Sequence, residues 1–85
     1  MKTDKAVITF KTEPDGIETD LEIPLDISAY WLLAALDEAY ALGTDFSDMR
    51  KCFLTSERPA ALLKGTRLLK DCGICSGSII YYRSR

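Results

Sequence analysis

The chain has 85 residues with 11 basic and 13 acidic side chains, a net charge of −2 and no histidine. A chain of this length has room for one core, so we expect a single domain over residues 1–85. The charge balance provides no general attraction for nucleic acid or an acidic membrane. Without histidine, nucleophiles of the Ser-His and Cys-His kind are excluded.

The N-terminal part of the chain predicts a β-hairpin. Over residues 6–11 apolar side chains alternate with polar or smaller ones, which indicates a strand that buries its even positions. Residues 13–16 contain Pro14 and Gly16 and are typical of a tight turn. A second alternating strand follows over residues 18–25, so the two strands are expected to pair antiparallel.

Residues 28–42 predict the one long helix of the chain. Their larger apolar side chains recur at the 3.6-residue period of a helix. Ser28 can accept a backbone N–H at the start, and Gly43 can adopt the left-handed conformation that ends a helix. The residues of the predicted buried stripe are Ala29, Leu32, Leu33, Leu36 and Tyr40.

The C-terminal part predicts short elements that complete a sheet. A third strand is expected at residues 52–54, a turn at 56–59 and a last strand at 79–82. Residues 60–63 fit either a short strand or one turn of helix, and Phe46 is expected to turn inward. The order of elements predicts an α+β fold in which one helix packs across a mixed sheet of four to five strands.

This arrangement is the β-grasp, and the chain resembles ubiquitin-like proteins over nearly its whole length. The stretch Asp71-Cys72-Gly73-Ile74 followed by Gly77 is most similar to the YukD/EsaB family, which serves bacterial type VII secretion. The resemblance implies a non-conjugating protein-interaction module without catalysis or cofactor. It also implies a partner in the secretion machinery and a role in the cytoplasm or at a membrane complex. The other expected partner, a second copy of the chain, follows from exposed apolar side chains rather than from the resemblance.

Two other functions of small proteins bear on this sequence. Conjugating ubiquitins and sulfur carriers end in Gly-Gly, whereas this sequence ends in Tyr82-Arg83-Ser84-Arg85, so conjugation is not expected. Cys72 and Cys75 form a CxxC pair, which leaves a small redox or metal-binding protein as an alternative. A ubiquitin-like adaptor of another complex is a further alternative. Nucleic acid, small-molecule substrates and insertion into a membrane are not expected.

Alternation divides the large side chains between the core and the surface. The residues expected in the core are Ile8, Phe10, Leu21, Ile23, Leu32, Leu36, Leu54, Leu69, Ile74, Ile80 and Tyr82. Their neighbours then face outward, and a contiguous exposed apolar patch is typical of an interface. The candidate protein-binding residues are Val7, Phe53, Ile79 and Tyr81 on the sheet and Tyr30 and Trp31 on the helix.

Overall fold

The computed structural model describes residues 4–13 and 16–83, so two residues of the predicted first turn and the last two residues of the chain lie outside it. The strands are β1 (Lys5–Glu13), β2 (Glu18–Pro24), β3 (Phe53–Glu57), β4 (Ala61–Lys64) and β5 (Ile79–Arg83). The helix is α1 (Ala29–Tyr40), and two short 3-10 helices span Met49–Lys51 and Leu69–Cys72.

The five strands form one mixed sheet in the order β2-β1-β5-β3-β4. The last strand, β5, lies in the middle, parallel to β1 and antiparallel to β3. The first and last strands are therefore adjacent, and α1 lies across one face of the sheet. This topology is the β-grasp, and the predicted fold class is confirmed.

The core lies between the sheet and α1. Phe10, Leu69 and Ile80 are fully buried, and the aromatic ring of Tyr40 packs 5.4 Å from that of Phe10. All the side chains predicted to be buried are buried except Leu21 and Tyr40, and Tyr40, the last residue of α1, is partly buried against the core. Leu21 is only partly buried because β2 is an edge strand, whereas α1 makes its closest contacts with β3 and β4.

The start of α1 is confirmed and its end is corrected. The Ser28 side chain accepts the Trp31 N–H at 3.1 Å, which satisfies one of the unpaired donors of the first turn. At the other end Ala41, rather than Gly43, takes the left-handed conformation directly after the helix, with φ of 53°. The Asp37 carboxylate then accepts the Thr44 N–H, which holds the chain as it leaves the helix.

The boundaries of the later strands also differ from those expected. The third strand runs from Phe53 to Glu57, beyond the predicted residues 52–54, and the turn moves to residues 58–60. Residues 61–64 are a strand, which resolves the open choice at 60–63. Phe46 is partly buried against the core, as predicted.

Two serines are buried near the end of the third strand, Ser56 within β3 and Ser78 just before β5. The hydroxyl of Ser56 donates to the Pro59 carbonyl at 2.8 Å. The fully buried hydroxyl of Ser78 donates to the Arg58 carbonyl and accepts the Cys75 N–H. Buried polar groups cost little when they are paired in this way, so serine fits where the pattern calls for an apolar side chain.

The burial of Leu36 predicts how much stability the protein loses when a cavity is made under α1. Replacing Leu36 with alanine should lower the free energy of unfolding by about 2–5 kcal/mol, because Leu36 is buried against the sheet. Chemical denaturation followed by circular dichroism measures this loss, and Glu38→Ala, at an exposed position of the same helix, is the control. A loss below about 1 kcal/mol for Leu36→Ala would contradict the packing described here.

Candidate protein-binding face

The face of the sheet opposite α1 is centred on β5. Ile80 and Tyr82 point into the core, so Ile79 and Tyr81 project from this outer face, as the alternation predicts. Ile79 lies opposite Thr9 on β1 and opposite Glu57 on β3. Tyr81 lies opposite Lys11 and Thr55, and both outward side chains are partly buried. They are therefore less exposed than the sequence pattern indicated.

Tyr81 lies between a base and an acid. Its hydroxyl donates a hydrogen bond to the Glu57 carboxylate at 3.1 Å, and the Lys11 ammonium lies 5.8 Å from the centre of its ring. Partial burial, together with the hydrogen bond and negative charge of Glu57 and the charge of Glu13, raises the pKa of Tyr81. The phenol is therefore held in its neutral, donating form.

Further apolar side chains surround this pair. Phe53 on β3 and Val7 on β1 project from the outer face with 39% and 50% of their surfaces exposed. Val7 lies at the opposite end of the face from Phe53. Leu62 on β4 also belongs to this face, because it pairs with the outward-facing Thr55 of β3. It is 53% exposed. It was missed because residues 60–63 were not assigned to a strand.

A cleft of about 700 Å³ lies beside the outer face, where β5 ends and β3 begins. Phe53 and Tyr81 line one side of it. The basic side chains that line the cleft are Arg50 and Lys51 in the first 3-10 helix and Arg83 at the end of β5. The sequence did not single out these cations because the cleft joins parts of the chain that are far apart.

The two candidate binding residues on the helix, Tyr30 and Trp31, lie in different environments. The ring of Tyr30 packs edge-on against Phe46 with 5.7 Å between ring centres, so Tyr30 is partly buried. Trp31 instead leaves 67% of its surface exposed. Tyr30 thus helps to hold the segment after the helix, and Trp31 projects by itself on the side of the molecule opposite the sheet face.

The three cysteines lie in different surroundings. Cys72 is partly buried at the end of the second 3-10 helix, and Cys75 is exposed in the turn before β5. Cys52 is buried, and burial together with the charges of Asp45 and Asp48 raises the pKa of its thiol. Within residues 4–13 and 16–83, no three cysteine or carboxylate side chains are grouped closely enough to hold a metal ion.

Gly73 and Ile74, which carried part of the resemblance, have clear structural roles. Gly73 ends the second 3-10 helix with φ of +83°, a conformation that favours glycine. A Cβ atom there would also lie 3.2 Å from the ring of Pro59. Ile74 is buried in the core. This stretch therefore closes the fold in front of β5.

Two solved structures have the same architecture. One is a ubiquitin-like domain from tubulin-binding cofactor B, with a TM-score of 0.77, 19% identity, and coverage of 98% of this chain and 92% of that one. The chain has the ubiquitin-like fold. The other is the C-terminal ubiquitin-like domain of mouse tubulin-specific chaperone e, with a TM-score of 0.75, 12% identity, and coverage of 100% and 91%. The sequence matches no model of a known family and no curated protein.

No helix among the described residues is long and apolar enough to cross a membrane.

The surroundings of Tyr81 predict its titration. Its pKa should lie above the ordinary tyrosine value of about 10. Glu57→Gln should lower it, because the variant removes the negative charge that disfavours the phenolate. Titration of the tyrosine ring carbons by NMR resolves the four tyrosines of the chain. Glu22→Gln, which removes a carboxylate from β2 instead, is the control, and an equal effect of the two variants would contradict the assigned contact.

Proposed function

We propose that this protein is a non-conjugating, ubiquitin-like protein-interaction module that acts by non-covalent binding through the outer face of its sheet. The observation that carries the proposal is the group of Ile79, Tyr81 and Phe53 on one rigid face, continued by exposed Leu62. Apolar and aromatic side chains grouped in this way are typical of interfaces, where a few aromatic anchors supply much of the binding energy.

The fold favours this face over the helix side. Ile79 and Tyr81 are partly buried between neighbouring strands, so little side-chain freedom remains to be lost on binding. Tyr81 is further fixed by its hydrogen bond to Glu57. Trp31, in contrast, is a single exposed aromatic residue, which is an ordinary feature of protein surfaces.

The proposal predicts that substitution on the outer face weakens binding while the fold is kept. The double variant Ile79→Ser, Tyr81→Thr should capture fewer proteins from the native host, or lose self-association in sedimentation experiments. Trp31→Ala is the matched control, because it removes an exposed aromatic from the other side of the molecule. Unchanged capture and sedimentation, together with a large loss of stability, would show that Ile79 and Tyr81 serve the core instead.

The narrower form of the proposal is a role in type VII secretion. In that role the protein would act in the cytoplasm or at a membrane complex. This role is supported by the resemblance of residues 71–77 to the YukD/EsaB family. Because Gly73 and Ile74 also have structural roles, this stretch gives little information about the partner. A ubiquitin-like adaptor of another complex is the competing form.

Purified partners can separate these forms. If the secretion role holds, the membrane ATPase of a type VII system should bind the protein. It should not bind the Ile79→Ser, Tyr81→Thr variant. Tubulin is the comparison, since both solved neighbours come from tubulin-related proteins. Binding of tubulin but not of the ATPase would reject the secretion role.

A further inference from the structure

The cleft beside the outer face carries positive charge in a chain that is negative overall. Three basic side chains and one acid line it, whereas the net charge of the chain is −2. Phe53 and Tyr81 supply its apolar wall. We propose that this cleft receives an acidic segment of the protein partner, with an apolar side chain against the two rings and carboxylates toward Lys51, Arg50 and Arg83. The inference rests on the proposed function.

The basic side chains can bind a new carboxylate. Among the described residues, no carboxylate lies within 4.0 Å of Lys51, so its charge is not matched by a direct ion pair. Arg50 pairs with Asp48, and Arg83 pairs with Glu13 at 3.0 Å, while both arginines remain largely exposed. Exposed pairs of this kind contribute little to stability and exchange readily.

The acids near the cleft are already engaged by groups of their own segment. Asp45 accepts hydrogen bonds from the backbone N–H and the hydroxyl of Ser47. Asp48 accepts the backbone N–H and the side chain of Arg50. These bonds, with a smaller contribution from the charge of Lys51, hold the pKa of both carboxyls below the ordinary value, so both stay charged. Since neither carboxyl forms a direct ion pair with Lys51, the Lys51 ammonium can still pair with a carboxylate of the partner.

The size of the cleft suits an apolar side chain with its flanking residues. Its volume of about 700 Å³ falls within the roughly 300–1,000 Å³ of sites that bind organic ligands. Phe53 has 39% of its surface exposed, and the partly buried Tyr81 ring is held beside it by the sheet. A phenylalanine or leucine of the partner would therefore cover apolar surface that now faces water.

The distribution of charge on the outer face also favours the cleft over the β2 edge as the place where an acidic segment binds. Glu18, Asp20 and Glu22 on β2 pair with outward residues of β1, so they lie on the same outer face at its far edge. An acidic segment is repelled there and attracted at the cleft. A nucleic acid would meet the same acidic edge over a longer path, which favours a short acidic peptide.

Defined peptides test the inference directly. The probe is a short fluorescein-labelled peptide with one phenylalanine among glutamates, and the matched peptide has glutamines instead. At low salt the glutamate peptide should bind at least about tenfold more tightly by fluorescence anisotropy, and the difference should shrink as salt screens the charges. Amide shifts in NMR spectra should concentrate at Lys51, Phe53, Tyr81 and Arg83.

Charge variants assign the effect to the cleft. Lys51→Glu should weaken binding of the glutamate peptide by about tenfold, and Lys51→Gln by less. Lys70→Glu is the matched control, because Lys70 is also an exposed lysine of a 3-10 helix but does not line the cleft. Phe53→Ser should weaken the binding of both peptides, since it removes the apolar wall.

Three results would overturn the inference. They are equal binding of the two peptides, amide shifts outside the cleft, or displacement of the bound peptide by single-stranded DNA at equal concentration. If the peptides fail but partner capture still depends on Ile79 and Tyr81, the inference falls and the proposed function stands. If capture is insensitive to those residues, the proposed function itself fails.

Discussion

The parallel pairing of the first and last strands is the constraint on which the rest of the structure depends. Phe10 on β1 lies directly opposite Ile80 on β5, and both side chains are fully buried under α1. Because the paired strands are distant in sequence, their contact has a large loop-closure cost, which the packing of the helix and β3 must offset.

The central place of β5 also determines what the outer face can do. A central strand is hydrogen-bonded on both sides, so Ile79 and Tyr81 are held more firmly than side chains on an edge strand. Both side chains are partly buried between these strands, where Ile79 lies opposite Thr9 and Glu57 and Tyr81 lies opposite Lys11 and Thr55. The resulting surface combines apolar groups with charges, which suits selective binding better than a purely apolar patch.

A buried hydroxyl connects two turns at one end of the sheet, where β3 ends and β5 begins. Ser78 joins the turn before β5 to the turn after β3, through its bonds with the backbone of Cys75 and Arg58. Among the described residues, no buried side-chain nitrogen or oxygen lacks a hydrogen-bond partner. The polar groups in this small core therefore specify how the turns pack, at little cost in stability.

The sequence by itself determined the elements whose signal is local. Alternation in β1 and β5 and the helical stripe of α1 are read over a few residues, so the core and the inward and outward faces could be predicted, as could the cap at Ser28. Only the tertiary structure decided features that join distant segments. Strand order leaves Leu21 partly covered at an edge, and packing against Phe46 covers Tyr30.

The candidate site shows the same division. The apolar anchors could be predicted from alternation, because the two faces of a strand are set by the backbone. The basic cleft could not be predicted, because it exists only when the segment after α1, the start of β3 and the end of β5 come together. A net charge of −2 does not reveal that three basic side chains and one acid line this cleft, since composition carries no information about position in space.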